Sequence, residues 1–179
     1  MNIPNVLTLI RISLVPVVVI FLIQGLFLDA LIVFAIAGIT DALDGFFARI
    51  LKQKTVLGSY MDPLADKALI ISSFVALSIL GMIPAWITVI IVSRDFIILL
   101  GVSVLFFMSV SFEIRPAFVS KITTVLQLLT VFSVLIVRYL PGNFYYQLVE
   151  VVYWVTALFT VASGLNYVVK GVRFINSDE

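Results

Sequence analysis

The chain has 179 residues, 63% of them hydrophobic and 12% charged, with a net charge of +1 and a mean hydropathy of +1.24. That composition excludes an ordinary soluble domain and describes a polytopic membrane protein, and the near-zero net charge argues against a nucleic-acid partner. Cysteine and histidine are both absent, which excludes disulfides, thiolate or imidazole metal sites, Ser-His-Asp chemistry and histidine-linked intermediates. Any catalysis must run on carboxylates, lysine, arginine, hydroxyls and metal.

Apolar runs of about 20 residues, the length that crosses a bilayer, predict six helices. They cover Val6–Ile23, Leu26–Ile50, Asp62–Leu80, Ala85–Met108, Phe118–Leu140 and Tyr146–Val169. The first run follows MNIPNVLTLIR with no small-residue cleavage site after it, so it is expected to be a retained span. Turn signals separate the runs: Gln24-Gly25, Lys52-Gln53-Lys54, Gly81 with Pro84, Ser111–Pro116 and Pro141-Gly142-Asn143. The expected fold is an all-α integral membrane protein, one domain over residues 1–179, with no repeat or linker. Arg49, Lys52, Lys54, Arg115, Lys121, Lys170 and Arg173 fall on one side if both termini are cytoplasmic, whereas the opposite loops offer only Arg138 beside Asp29 and Glu150.

Four of the ten acidic residues, Asp41, Asp44, Asp62 and Asp66, fall within 26 positions. A carboxylate near lipid depth costs several kcal/mol unless it is paired or bound to metal. On a helix Asp41, Asp44, Gly45 and Ala48 share one face with Arg49 at its edge, and Gly58, Asp62 and Asp66 share a face of the next. Two antiparallel helices can therefore aim four oxygen donors at one pocket, a set suited to Mg²⁺ or Mn²⁺, at the cytoplasmic end of the bundle. Gly45, Ala48 and Gly58 keep that pocket open for a large ligand. The bland alternative pairs these acids with Arg49, Lys67 and Arg94 as structural ion pairs. It leaves the small residues on the same faces unexplained.

Written out, the pattern is Asp41-x₂-Asp44-Gly45-x₂-Ala48-Arg49-x₈-Gly58-x₃-Asp62-x₃-Asp66. It resembles the signature of the CDP-alcohol phosphatidyltransferases at all eight defining positions. The resemblance implies transfer of a phosphatidyl group from CDP-diacylglycerol to an alcohol, with release of CMP, by a membrane enzyme commonly found as a homodimer. It implies two divalent cations held by Asp41, Asp44 and Asp62, with Asp66 near the second metal and acting as general base. Asp41, Gly45, Ala48, Arg49 and Gly58 would then bind the cytidine diphosphate. Pro4-Asn5-x₂-Thr8-x₂-Arg11 resembles the family's opening, so Asn5 and Thr8 are either nucleotide contacts or a helix cap. Arg11, a turn inside the first span, reads as a lone arginine snorkelling to the headgroups.

The acceptor is read from the later helices. Arg94, deep in the fourth, either neutralises Asp95 or holds an acceptor phosphate, and Lys121 is either an acceptor contact or a positive-inside anchor. Bacterial phosphatidylglycerophosphate synthases resemble the chain from Ile3 to Lys67. They typically carry cations where this chain has Val102 and Thr123. Eukaryotic-type cardiolipin synthases resemble Val33–Gly38, Arg94-Asp95 and Pro116-x-Phe118-x-Ser120-Lys121-x₂-Thr124-x-Leu126-Gln127. The expected acceptor is therefore phosphatidylglycerol, giving cardiolipin, with glycerol 3-phosphate as the alternative. A divalent-cation transporter is the reading from a different class, but a transport path needs acids on the way to the far side, and the fifth and sixth helices contain only Glu150, near their outer ends. A bacterial inner membrane is the expected location, with the site facing the cytoplasm.

Overall fold

A computed structural model describes residues 3–50, 56–107, 118–138 and 144–175. Among them are six helices: α1 (Ile3–Ile23), α2 (Phe27–Ile50), α3 (Val56–Ile79), α4 (Ala85–Phe107), α5 (Phe118–Val137) and α6 (Phe144–Ile175). Each predicted run corresponds to one of them. The main departures are α3, which starts at Val56 rather than Asp62, and α6. The first turns of α3 carry Gly58, Ser59 and Tyr60 and lie outside the window that marked the run. The last helix also outruns its apolar stretch, reaching Ile175.

Local chemistry explains the helix ends. Pro4 stands in the first turn of α1, where its missing N–H removes no helical bond, and Asp29 complements the amino end of α2. Gly25 and Gly81 have φ of +74° and +69°. At the first turn Leu26 N–H donates to Phe21 O at 2.9 Å and Gly25 N–H to Leu22 O at 3.0 Å. At the second, Met82 N–H donates to Leu77 O at 2.9 Å and Gly81 N–H to Ser78 O at 3.0 Å. Both are Schellman closures, which require a left-handed residue after the helix and so favour glycine.

The helices form two compact units, Met1–Ile83 and Pro84–Glu179. In the first, α1 packs against both α2 and α3; in the second, α6 packs against both α4 and α5. The buried positions combine an apolar core, including Val18, Leu22, Phe34, Phe74, Ile87 and Leu135, with many polar side chains, and large apolar residues are exposed. Buried polar positions include Thr8, Arg11, Ser73, Arg94, Asp95, Thr123, Gln127, Thr130, Thr156, Thr160 and Ser163, whereas Ile23, Ile39, Ile79, Val89, Phe96, Leu158 and Leu165 are exposed. The α5–α6 seam shows how buried hydroxyls are satisfied. Thr123 Oγ1 lies 2.9 Å from Val119 O and 3.1 Å from Phe159 O, and Thr130 and Thr156 share a 2.8 Å hydroxyl bond. Bonds of this kind hold helices together where apolar burial supplies little driving force. Among the described residues, α5 and the Gln147–Val169 stretch of α6 are long and apolar enough to cross a membrane.

Candidate active site

The first unit centres its charge on Arg11. This residue is one turn beyond Thr8 on the same face of α1, and both are fully buried. Its Nη1 donates to Asp41 Oδ1 of α2 at 2.8 Å and to Asp66 Oδ1 of α3 at 2.6 Å. One guanidinium nitrogen thus joins three helices and brings two carboxylates to a single point. The expectation that Arg11 snorkels is overturned. With a negative partner on each neighbouring helix, burial gives it charge-assisted bonds that the headgroup region would replace with water.

Asp41 and Asp66 remain open to their surroundings, with side chains 43% and 31% exposed. The site therefore has a buried cationic base and an accessible acidic rim. Asp44 lies three residues along α2 from Asp41, and Asp62 four residues before Asp66 on α3. Their side chains, with those of Asn5, Gly45, Ala48, Arg49 and Gly58, lie outside the described residues, as does that of Val102. Two carboxylates converging from two helices form an oxygen-only pair that suits a hard divalent cation, and the helical spacing of the other two aspartates is compatible with the same donor set.

The second unit holds its own buried charge. Arg94 Nη1 donates to Asp95 Oδ1 at 2.7 Å, and Nη2 donates to Ser120 Oγ of α5 at 2.7 Å and Ser163 Oγ of α6 at 2.6 Å. The guanidinium carbon sits 5.9 Å from the centre of the Tyr167 ring. Gly164 packs beside the arginine: a Cβ there would stand 3.4 Å from Arg94 Cγ, in ordinary van der Waals contact. Of the two roles expected for Arg94, neutralising Asp95 is the one the geometry displays, and the arginine also ties α4 to α5 and α6. Its Nε–H is buried without a hydrogen-bond partner among the described residues. Lys121 is exposed, and its neighbour Ser120 is the α5 residue that reaches Arg94.

Sequence reasoning missed Arg11 as a member of the acidic site and Ser120 and Ser163 as partners of Arg94. A signal for Arg11 was present in its spacing from Thr8, which puts both on one face of α1. Nothing local marks the two serines, because their partner is remote in sequence.

The family model for CDP-alcohol phosphatidyltransferase matches residues 1–162, and the chain belongs to that family. It is 35% identical to the human protein named cardiolipin synthase (CMP-forming), over 93% of this chain and 60% of that protein. It is 37% identical to a probable phosphatidylglycerophosphate synthase of Mycobacterium tuberculosis, over 97% of this chain and 83% of the relative. It is also 31% identical to a CDP-diacylglycerol--glycerol-3-phosphate 3-phosphatidyltransferase of Aquifex aeolicus, over 98% of both chains. The chain spans about 60% of the length of the rat and human cardiolipin synthases it matches.

Proposed function

We propose that the chain transfers the phosphatidyl group of CDP-diacylglycerol to an alcohol with release of CMP, in the synthesis of anionic phospholipids. The observation that carries this reading is the meeting of Asp41 and Asp66 at one point, on helices that carry the rest of the family's aspartate pattern. Asp41, Asp44, Asp62 and Asp66 would hold two divalent cations, Mg²⁺ or Mn²⁺. When bound, such ions clamp a diphosphate and stabilise the departing CMP.

The chain's own residues supply the rest. Asp66, on the accessible rim, takes the proton from the acceptor hydroxyl as general base. Without histidine, direct in-line attack by the acceptor is the simplest route. Asn5, Thr8, Asp41, Gly45, Ala48, Arg49 and Gly58 form the cytidine-diphosphate site, the small residues admitting the nucleotide and Arg49 pairing with phosphate. Arg94 and Lys121 serve the acceptor's phosphate, Arg94 through its remaining Nε–H donor.

Phosphatidylglycerol is the proposed acceptor and cardiolipin the product. Supporting this, Thr123, where glycerol-phosphate-using relatives typically carry lysine, is buried and bonded to the Phe159 carbonyl of α6. That position of α5 presents no cation to a dianionic headgroup. Glycerol 3-phosphate is the second reading, favoured by the names of the Mycobacterium tuberculosis and Aquifex aeolicus relatives. We further propose one catalytic domain over residues 1–179, with six spans, both termini and a polar cavity on the cytoplasmic side of a bacterial inner membrane, acting as a homodimer. Apolar residues exposed along the helices and the family match across residues 1–162 support a membrane setting for this arrangement.

An acceptor panel tests the function. Purified protein with CDP-diacylglycerol and Mg²⁺ or Mn²⁺ is offered phosphatidylglycerol, glycerol 3-phosphate, inositol phosphate or serine, and products are resolved by mass. Cardiolipin with phosphatidylglycerol alone supports the proposal. Phosphatidylglycerophosphate without cardiolipin changes the acceptor, and no CMP with any alcohol overturns the transferase reading.

A further inference from the structure

We infer that Arg11 is a built-in counter-ion that competes with the divalent cation for Asp41 and Asp66, and so sets how tightly the site holds metal. This rests on the divalent-cation reading of the site. Nη1 of Arg11 is within 2.8 Å of Asp41 Oδ1 and 2.6 Å of Asp66 Oδ1, with the whole side chain buried. A divalent cation held by these two carboxylates would need the oxygen lone pairs that now accept from the guanidinium. The guanidinium itself has no lone pair to offer such an ion. Guanidinium and divalent cation therefore compete for this pair of oxygens.

The arrangement has a physical purpose. Two carboxylates this close repel one another, and both sit on helices that pack against α1. A permanent cation between them holds α2 and α3 at their working separation before metal arrives, and incoming metal must displace it. Arg11 is thus a positioning residue. It lowers metal affinity while making the fold independent of metal, and an arginine does this better than a lysine because it stays charged when buried and its longer side chain brings one nitrogen to both carboxylates.

The test is Mn²⁺ titration of the full-length protein in detergent, followed by the electron paramagnetic resonance of free Mn²⁺, together with thermal unfolding with and without the ion. Arg11→Gln keeps an amide donor but loses the charge. It is expected to bind Mn²⁺ at least tenfold more tightly than wild type, and to unfold at lower temperature only when Mn²⁺ is absent. A purely structural arginine would give the opposite sign, since a loosened pair of carboxylates binds metal less well. Should Arg11→Gln not fold, Arg11→Lys carries the test, because a single shorter ammonium reaches one carboxylate and should tighten Mn²⁺ binding two- to fivefold. Unchanged or weaker Mn²⁺ binding in the folded variant, with a wild type that binds the ion, overturns the inference alone. A wild type that binds no Mn²⁺ overturns the metal reading together with it.

Discussion

Arg11 and Asp66, 55 residues apart in the chain, meet at 2.6 Å through one guanidinium nitrogen and one carboxylate oxygen. This contact fastens α3 to α1 at the level of the acidic cluster, with Asp41 of α2 held by the same nitrogen. These charge-assisted bonds coincide with the unit's proposed chemistry, so changes at the site need readouts of both activity and fold.

Removal of divalent cations by EDTA should abolish CMP release, and added Mg²⁺ or Mn²⁺ should restore it. Asp62→Asn keeps the side chain's size and removes its charge, so turnover should fall by about two orders of magnitude or more, the scale of losing one electrostatic stabiliser of the transition state. Helical content by circular dichroism should be unchanged. Near-wild-type turnover in that variant would remove Asp62 from the metal site.

Asp66→Asn should abolish transfer yet leave CDP-diacylglycerol bound with an affinity within about tenfold of wild type, because a base acts on the acceptor rather than on the nucleotide. Equilibrium binding of the liponucleotide to the purified variant is the measurement. Parallel loss of binding and transfer would make Asp66 a ligand only. Arg11 retains Asp41 as a partner in this variant, so the fold should survive.

Arg94→Ala should destabilise the protein by about 3–5 kcal/mol, the usual penalty for removing one member of a buried ion pair. Asp95→Asn in the same chain should recover part of that loss, since it removes the charge Arg94 neutralises. A milder change, Arg94→Lys, should raise KM for the acceptor more than KM for CDP-diacylglycerol. Equal changes in both would assign Arg94 to holding α4, α5 and α6 together and nothing more.

The Thr130–Thr156 hydroxyl pair should be worth about 0.6 kcal/mol and not more than about 1.7, the range for hydrogen bonds between helices in membranes. A double-mutant cycle with Thr130→Val and Thr156→Val, read by unfolding in mixed micelles, measures it. A coupling energy near zero would show that the bond seen between them is replaced equally well by other partners.

Helix number and most helix boundaries were legible in the sequence because each is written in neighbouring residues, and the motif spacing already put Asp41 and Asp66, which meet at Arg11, in one set. About 20 apolar residues specify a span, a glycine after it specifies a left-handed turn, and Gly25 and Gly81 stand at turns that such signals predicted. The spacing of Asp41, Asp44, Asp62 and Asp66 also encodes a shared face, because helical periodicity is local. Boundaries were misjudged where a helix continues past its apolar stretch, as α3 does at Val56 and α6 at Ile175, and where it stops inside one, as α5 does at Val137 rather than Leu140.

What the tertiary structure alone decided is the partner of each buried charge. Arg11 looked like an arginine on its way to the headgroups until α2 and α3 supplied Asp41 and Asp66. Arg94 could be paired with its neighbour Asp95 from the sequence, but its bonds to Ser120 and Ser163 came only with α5 and α6. Thr123, read as a missing cation, is a bond between helices. The reason is electrostatic: a charge in a low-dielectric interior is stabilised by groups within a few ångströms in space, and packing, rather than nearness along the chain, brings those groups together.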